Sequence, residues 1–198
     1  MSNTGRSYTL NPTTGAATFR VALSADPTDT TAPFTTLDGS ATRSVDFNPA
    51  ADRLRVVSPA GQSLRINVTT RATTTDGVIN RASGGASVLA AANGNNFAGT
   101  TVTTLFDLDG NTDVLAIQNP PNDGTLTNVG MLGVDIAGGE NGLALAALRT
   151  GNTGPFLLQT VSLTTGAATP YLNTSGNAAL SQIGGASGPV LIDIAIRP

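Results

Sequence analysis

Short runs in which apolar and polar residues alternate dominate this chain. SYTLN, TFRVAL, RLRVVS, SLRINV, DVLAIQ, LALAAL and LLQTVSL follow one another between turns rich in Gly, Pro, Asn and Thr. A period of two is the signature of a strand with one face buried. One turn recurs. TTGAAT occupies 13–18 and again 164–169, and TTRATT occupies 69–74. A short strand precedes and follows each copy, which predicts a tight hairpin. Gly15 and Gly166 would supply the positive φ such turns need. Arg71 stands at that place in the third copy, so its backbone must differ or carry strain. Helix is nearly absent: only SVLAAANG at 87–94 and NAALSQIG at 177–184 could hold a turn or two.

A second pattern recurs: a small or apolar residue, then Asp, then an apolar residue. It holds Asp46 in SVDFNP, Asp135 in GVDIAG and Asp193 in LIDIAI, with Asp107 in LFDLDG a weaker copy. Together the patterns define units of about four strands in roughly 40–55 residues, the size of a propeller blade. The units are 6–25, 42–80, 87–130 and 132–173, with a closing strand at 189–198. In the second unit the strands fall near 43–48, 53–58, 63–68 and 72–79. The expected fold is all-β: one repeat domain over 1–198, a β-propeller-like arrangement of four-stranded antiparallel blades. A β-sandwich or irregular barrel built from the same hairpins is the alternative. A chain that starts late in one blade and ends early in another could complete a shared blade with both termini.

Two stretches, DFNPAADRLRVVS at 46–58 and LAIQNPPNDGTLTNVG at 115–130, resemble a bacterial family, the domain of unknown function DUF4394. The resemblance runs over roughly residues 5–198. It implies a secreted or envelope-associated protein of propeller-like β architecture. It implies no activity, so no catalytic residue comes with it. The chain departs from the family in seeming to lack one or more N-terminal repeat units and a leader.

Composition narrows the chemistry. The chain has no Cys and no His, and all ten basic residues are Arg. That removes thiol and imidazole nucleophiles and bases, disulfides, and ordinary zinc or copper sites. Net charge is −3 with only 12% charged residues, which excludes the basic face a nucleic-acid partner needs. No window is long and apolar enough to span a bilayer, so no membrane insertion is expected. The opening MSNTGRSYTL lacks the apolar core of a secretory leader. A polar, weakly charged surface nevertheless points to the extracellular space or cell envelope.

The residues left for chemistry form three constellations. Asp107, Asp109, Asn111 and Asp113 place oxygens at alternate positions of DLDGNTD, the spacing of a calcium loop. Its Gly sits between the second and third ligands and no Glu closes it, so an ordinary Asp-Gly-Asn turn is the plainer reading. Asp46, Asp135 and Asp193 could form central carboxylates in a ring, or cap backbone N–H groups within their own units. Arg53, Arg55 and Arg65 could bind an anion, or form a solvated face paired with an acid such as Asp52. NPPNDG at 119–124 is a rigid loop, and Tyr8 and Tyr171 lie beside the two TTGAAT turns as expected core or cross-strand partners.

Two functions remain in view. One is a non-enzymatic extracellular or cell-surface module that binds itself, another surface protein or a glycan. The other is a calcium-dependent propeller hydrolase of lactonase type, which would need several carboxylates converging on one channel. The missing His and Lys favour the first.

Overall fold

The computed structural model describes residues 2, 4–97, 99–136, 138–140, 145–149, 156–171 and 182–183. Among these every regular element is a strand. The alternating runs give β1 (Arg6–Leu10) and β2 (Ala17–Ala22), a two-stranded sheet. They also give β4 (Ser44–Asn48), β5 (Arg53–Val57), β6 (Ser63–Ile66) and β7 (Ala72–Thr75), an antiparallel meander. A two-residue strand, β3 (Ser24–Ala25), adds to β7 in parallel.

A second meander contains β8 (Val88–Asn93), β9 (Leu105–Asp109), β10 (Val114–Gln118) and β11 (Leu126–Met131). A third contains β12 (Gly138–Glu140), β13 (Leu145–Arg149), β14 (Phe156–Val161) and β15 (Ala168–Pro170). Here β16 (Gln182–Ile183) also pairs with β14. The sheets are separate and antiparallel apart from β3, and none closes on itself. The expected closing strand at 189–198 lies outside the described residues.

The segment 87–94, read from sequence as a short helical turn, is instead strand β8. The reason is its position between two sheets. One face of β8–β11 gives Ala91, Leu105, Ala116 and Leu126 to a core with Val57 and Ile79. The other gives Ala90, Leu108 and Leu115 to a core with Leu132, Ile136, Ala146 and Val161. A strand buried on both faces loses its polar alternation and reads as a continuous apolar run. The outer face of β4–β7 is covered by chain rather than by a sheet: Leu54, Val56, Leu64 and Ile66 pack with Leu37, against Leu23 and Phe34. Each fully buried Leu or Val of these layers contributes about 1.5–3 kcal/mol of transfer free energy.

Neighbouring sheets are joined by a recurring bridge. The segment leaving one sheet runs parallel to the last strand of the next. β3 pairs with β7 in this way, and Asn80 bridges Thr125 at the start of β11. The Ala168 amide of β15 donates to the Leu132 carbonyl at 2.8 Å. These bonds satisfy backbone groups that would otherwise form an open edge. First strands also meet: the Ser44 hydroxyl of β4 accepts from the Ala91 amide of β8 at 2.7 Å and donates to its carbonyl at 3.1 Å.

Candidate functional site

The hairpin turns decide what DLDGNTD is. In TTGAAT at 13–18 the Asn11 carboxamide oxygen accepts from the Thr13 and Thr14 amides, and Gly15 has φ 70°. In TTRATT, Asn67 accepts from Thr69 and Thr70, and Arg71 takes φ 76°. In the second TTGAAT, the Ser162 hydroxyl accepts from the Thr165 amide and Gly166 has φ 81°. The amide of the positive-φ residue donates to the carbonyl four residues earlier at 2.8 Å in all three. Arg71 therefore keeps the glycine geometry, and with it a cost of about 1–2 kcal/mol.

Two further turns follow the same scheme. Asn48 accepts from the Ala50 and Ala51 amides, with Asp52 at φ 50°. Asp109 accepts from the Asn111 amide at 2.9 Å and the Thr112 hydroxyl at 3.3 Å, with Asp113 at φ 52°. DLDGNTD is thus one more copy of the hairpin turn, with Asp109 in the place of Asn11. Asp109 is also held by Arg81 and by the Ser87 amide, and Asp113 accepts from the Ile136 amide at 2.9 Å. Asn111 is exposed and turns its amide to the Gly85 carbonyl, while Asp107 points the opposite way from solvent. The oxygens do not wrap one point, and among the described residues no group of three or more acidic side chains could hold a metal ion.

The recurring Asp residues also separate. Asp46 lies on the first strand of its sheet, where one carboxylate oxygen accepts from the Asn93 amide at 2.7 Å and its side-chain nitrogen at 2.9 Å. That is a backbone cap, but onto the next sheet rather than its own. Asp107 lies on β9, a second strand, and Asp135 is exposed in the segment before β12. Asp193 lies outside the described residues.

Two arginines of the stripe are paired within the chain. Arg55 and Arg65 are directly opposed on β5 and β6, and one carboxylate, Asp76, holds both. Arg65 Nε lies 2.9 and 2.8 Å from its two oxygens. Arg55 reaches further, to the Ser63 hydroxyl at 3.1 Å and to the Asn122 carboxamide oxygen at 2.9 Å. Arg53 turns away and donates to the Asp52 carbonyl at 2.9 Å. Asp52, the expected acid partner, is a turn residue; Asp76 does that work. The signal was present, since two arginines facing each other across a strand pair repel unless an acid lies between them.

NPPNDG serves this cluster. Asn122 takes Arg55, the Pro121 carbonyl takes the Gln118 side-chain nitrogen, and the Asn122 carbonyl accepts from the Gly77 amide at 2.8 Å. The loop therefore straps β4–β7 to β8–β11. The layer beneath it holds one group that sequence reasoning passed over as a buried residue. Asp107 is 0% exposed and neither carboxyl oxygen has a hydrogen-bond partner. Burial pushes its pKa up to about 8, with Arg55 pulling down and Asp109 pushing up. Burial likewise lowers Arg55 from its ordinary value, against the pull of Asp76.

An exposed apolar patch lies elsewhere. Tyr8 and Phe19 stack edge to face at 5.8 Å across the β1–β2 hairpin, with the Arg6 guanidinium 5.8 Å from the Phe19 ring centre. Tyr8 is thus the cross-strand partner its position implied, but not a core residue. Leu10 is 66% and Phe19 52% exposed. No strand beyond β1 and β2 joins this sheet among the described residues. Tyr171 is also exposed. No helix of the described residues is long and apolar enough to cross a membrane, which says nothing about crossing by strands. No curated protein matches the chain in sequence. A family described as Domain of unknown function (DUF4394) matches residues 1–184, and the chain belongs to that family.

Proposed function

We propose that this chain is a non-enzymatic β-repeat module of the bacterial cell exterior or envelope that works by assembly, docking the β1–β2 hairpin of one copy onto the acidic body of another. The observation that carries this reading is the hairpin itself. A two-stranded sheet is marginally stable alone in water, and this one leaves Tyr8, Leu10 and Phe19 exposed on one stretch of chain. An apolar patch of that kind marks an interaction surface. Charge supports a second copy as the partner. Residues 6–22 hold two of the ten arginines and no acid, while the remainder sets eight arginines against thirteen acids.

A propeller-like arrangement of blades is the architecture we attach to this function. In its favour, each of the three larger sheets carries a four-strand meander in chain order, the chain leaves the last meander strand of one sheet for the next sheet, and β4 lies against β8. The hydrolase reading draws no such support, because the acidic side chains of the described residues are scattered rather than gathered.

Light scattering behind size-exclusion chromatography tests the proposal. The full chain should self-associate with rising concentration and dissociate with added salt. Tyr8→Ser, Leu10→Ser and Phe19→Ser together should give a monomer with an unchanged thermal midpoint. A wild-type chain that stays monomeric at high micromolar concentration and low salt refutes assembly through this hairpin.

A further inference from the structure

Between the sheets β4–β7 and β8–β11 lies a layer that is apolar except for one band. On β9, Asp107 is directly opposite Ala91 of β8 and Ala116 of β10. Leu105, Ala91, Ala116 and Val57 belong to the apolar core on this face. Two positions along β10 from Ala116, and so on the same face, stands Gln118. Gln118 is 1% exposed. Its side-chain nitrogen donates to the Pro121 carbonyl, which fixes which end is which and leaves its oxygen with no partner. Three buried acceptor atoms therefore share one face of the sheet with nothing to accept from: both oxygens of Asp107 and Oε1 of Gln118.

Buried polar groups left unpaired are costly, and a group of acceptors without a donor is an unfinished network. One proton turns one of the three into a donor and pairs it with another. We infer that Asp107 is held in the folded protein as a neutral carboxylic acid whose O–H donates to Gln118 Oε1, a proton-dependent bond between β9 and β10 on the face that packs against β4–β7. Diagonal neighbours on adjacent strands are within reach of side chains of this length. The ionised form, by contrast, would set a buried negative charge against an acceptor that cannot answer it.

The surrounding charges agree. Arg55, from β5, is the one cation among the described residues that faces Asp107, and its charge is already matched by Asp76. Arg65 shares Asp76 and is 34% exposed, so its own charge is eased by water. On its own strand the nearest acid is Asp109, which Arg81 neutralises. The strands on either side, β8 and β10, bring no charged residue to the site. Asp46, on β4, is turned to Asn93.

The sign of the linkage follows. An acid whose folded pKa is raised binds its proton more tightly folded than unfolded. Stability is then full below the unfolded value of 3.8, falls as pH rises, and levels off above about 8. Two measurements on the full chain test this. In urea titrations from about pH 5 to about pH 9, the wild-type midpoint should fall as pH rises, and Asp107→Asn, uncharged at every pH, should remove that slope. Infrared difference spectra should show a protonated carboxylic carbonyl band well above the ordinary carboxylate titration range. The band should vanish in Asp107→Asn and move to higher frequency in Gln118→Leu, where the O–H loses its acceptor. Should Asp107→Asn fail to fold, the wild-type and Gln118→Leu spectra still decide. No such band near neutral pH, a band indifferent to Gln118→Leu, or a slope that survives in Asp107→Asn overturns the inference.

Discussion

Removing the Asp76 carboxylate should be among the most damaging single changes this chain can suffer. Asp76 and Arg55 are each 3% exposed, and Asp76 also carries Arg65. Asp76→Ala leaves the Arg55 guanidinium buried with hydrogen bonds to Ser63 and Asn122 but no counter-ion held against it. Breaking a buried pair from one side costs about 3–5 kcal/mol, against about 0–1 kcal/mol for an exposed pair. Set beside a total stability of about 5–15 kcal/mol, that loss can unfold the protein outright. With a urea slope of about 2 kcal/mol per molar, the midpoint should fall by about 2 M. Far-UV circular dichroism in urea reads it. The control replaces both partners, Arg55→Met with Asp76→Leu, and should recover to within about 1–2 kcal/mol of wild type, because apolar groups of similar size leave no charge stranded. In that control Asp107 loses its one facing cation and should hold its proton still more tightly. A cost below about 1 kcal/mol for Asp76→Ala would show that water reaches Arg55, and the reasoning would fail.

Two further changes separate packing from backbone conformation. At Gly130 an added Cβ would sit 1.9 Å from the Thr165 carbonyl oxygen of the second TTGAAT turn, so Gly130→Ala should cost about 3 kcal/mol or more and raise hydrogen exchange over 164–169. Gly15→Ala, in the first TTGAAT turn, meets nothing within 4 Å at φ 70° and should cost only about 1–2 kcal/mol of left-handed strain. Ser44→Ala removes the hydroxyl that both accepts from and donates to Ala91, and should cost about 1–3 kcal/mol in the same urea assay without moving the association equilibrium.

The strands were legible where one face is buried and one is wet, as in β5 and β6. They were illegible where both faces are buried. The run VLAAAN has the small residues of a helix former, and only its place between two sheets makes it β8. The turns were legible in part. TTGAAT announced itself by repetition, but NPAAD and DGNTD hide the same geometry behind different letters, because the scheme needs only a side-chain acceptor first and a positive φ fifth. Asn, Asp and Ser all serve at the first place, and Asp or Arg can bear the fifth. That degeneracy is what made a hairpin look like a cation loop.

The acids show why a local pattern could not assign roles. Asp46, Asp107 and Asp135 sit in similar letters, yet one caps the next sheet, one is sealed between sheets and one is exposed. What separates them is the element that happens to lie across from each: Asn93, an alanine-lined core, or solvent. Asp76 makes the same point from the other side. It sits in the unremarkable run TTTDGVI, just past the end of β7, yet it is the acid that joins β5 and β6, while Arg55 carries the link on to the loop that closes the next sheet. The charge inventory of the two-sheet layer is therefore set by register and stacking, which bring residues 55, 65, 76, 107 and 122 together across 67 positions of chain. Among the described residues of that layer every cationic group has a partner and one acid does not, and it is the unmatched acid, not any repeated motif, that gives the fold a chemical sensitivity of its own.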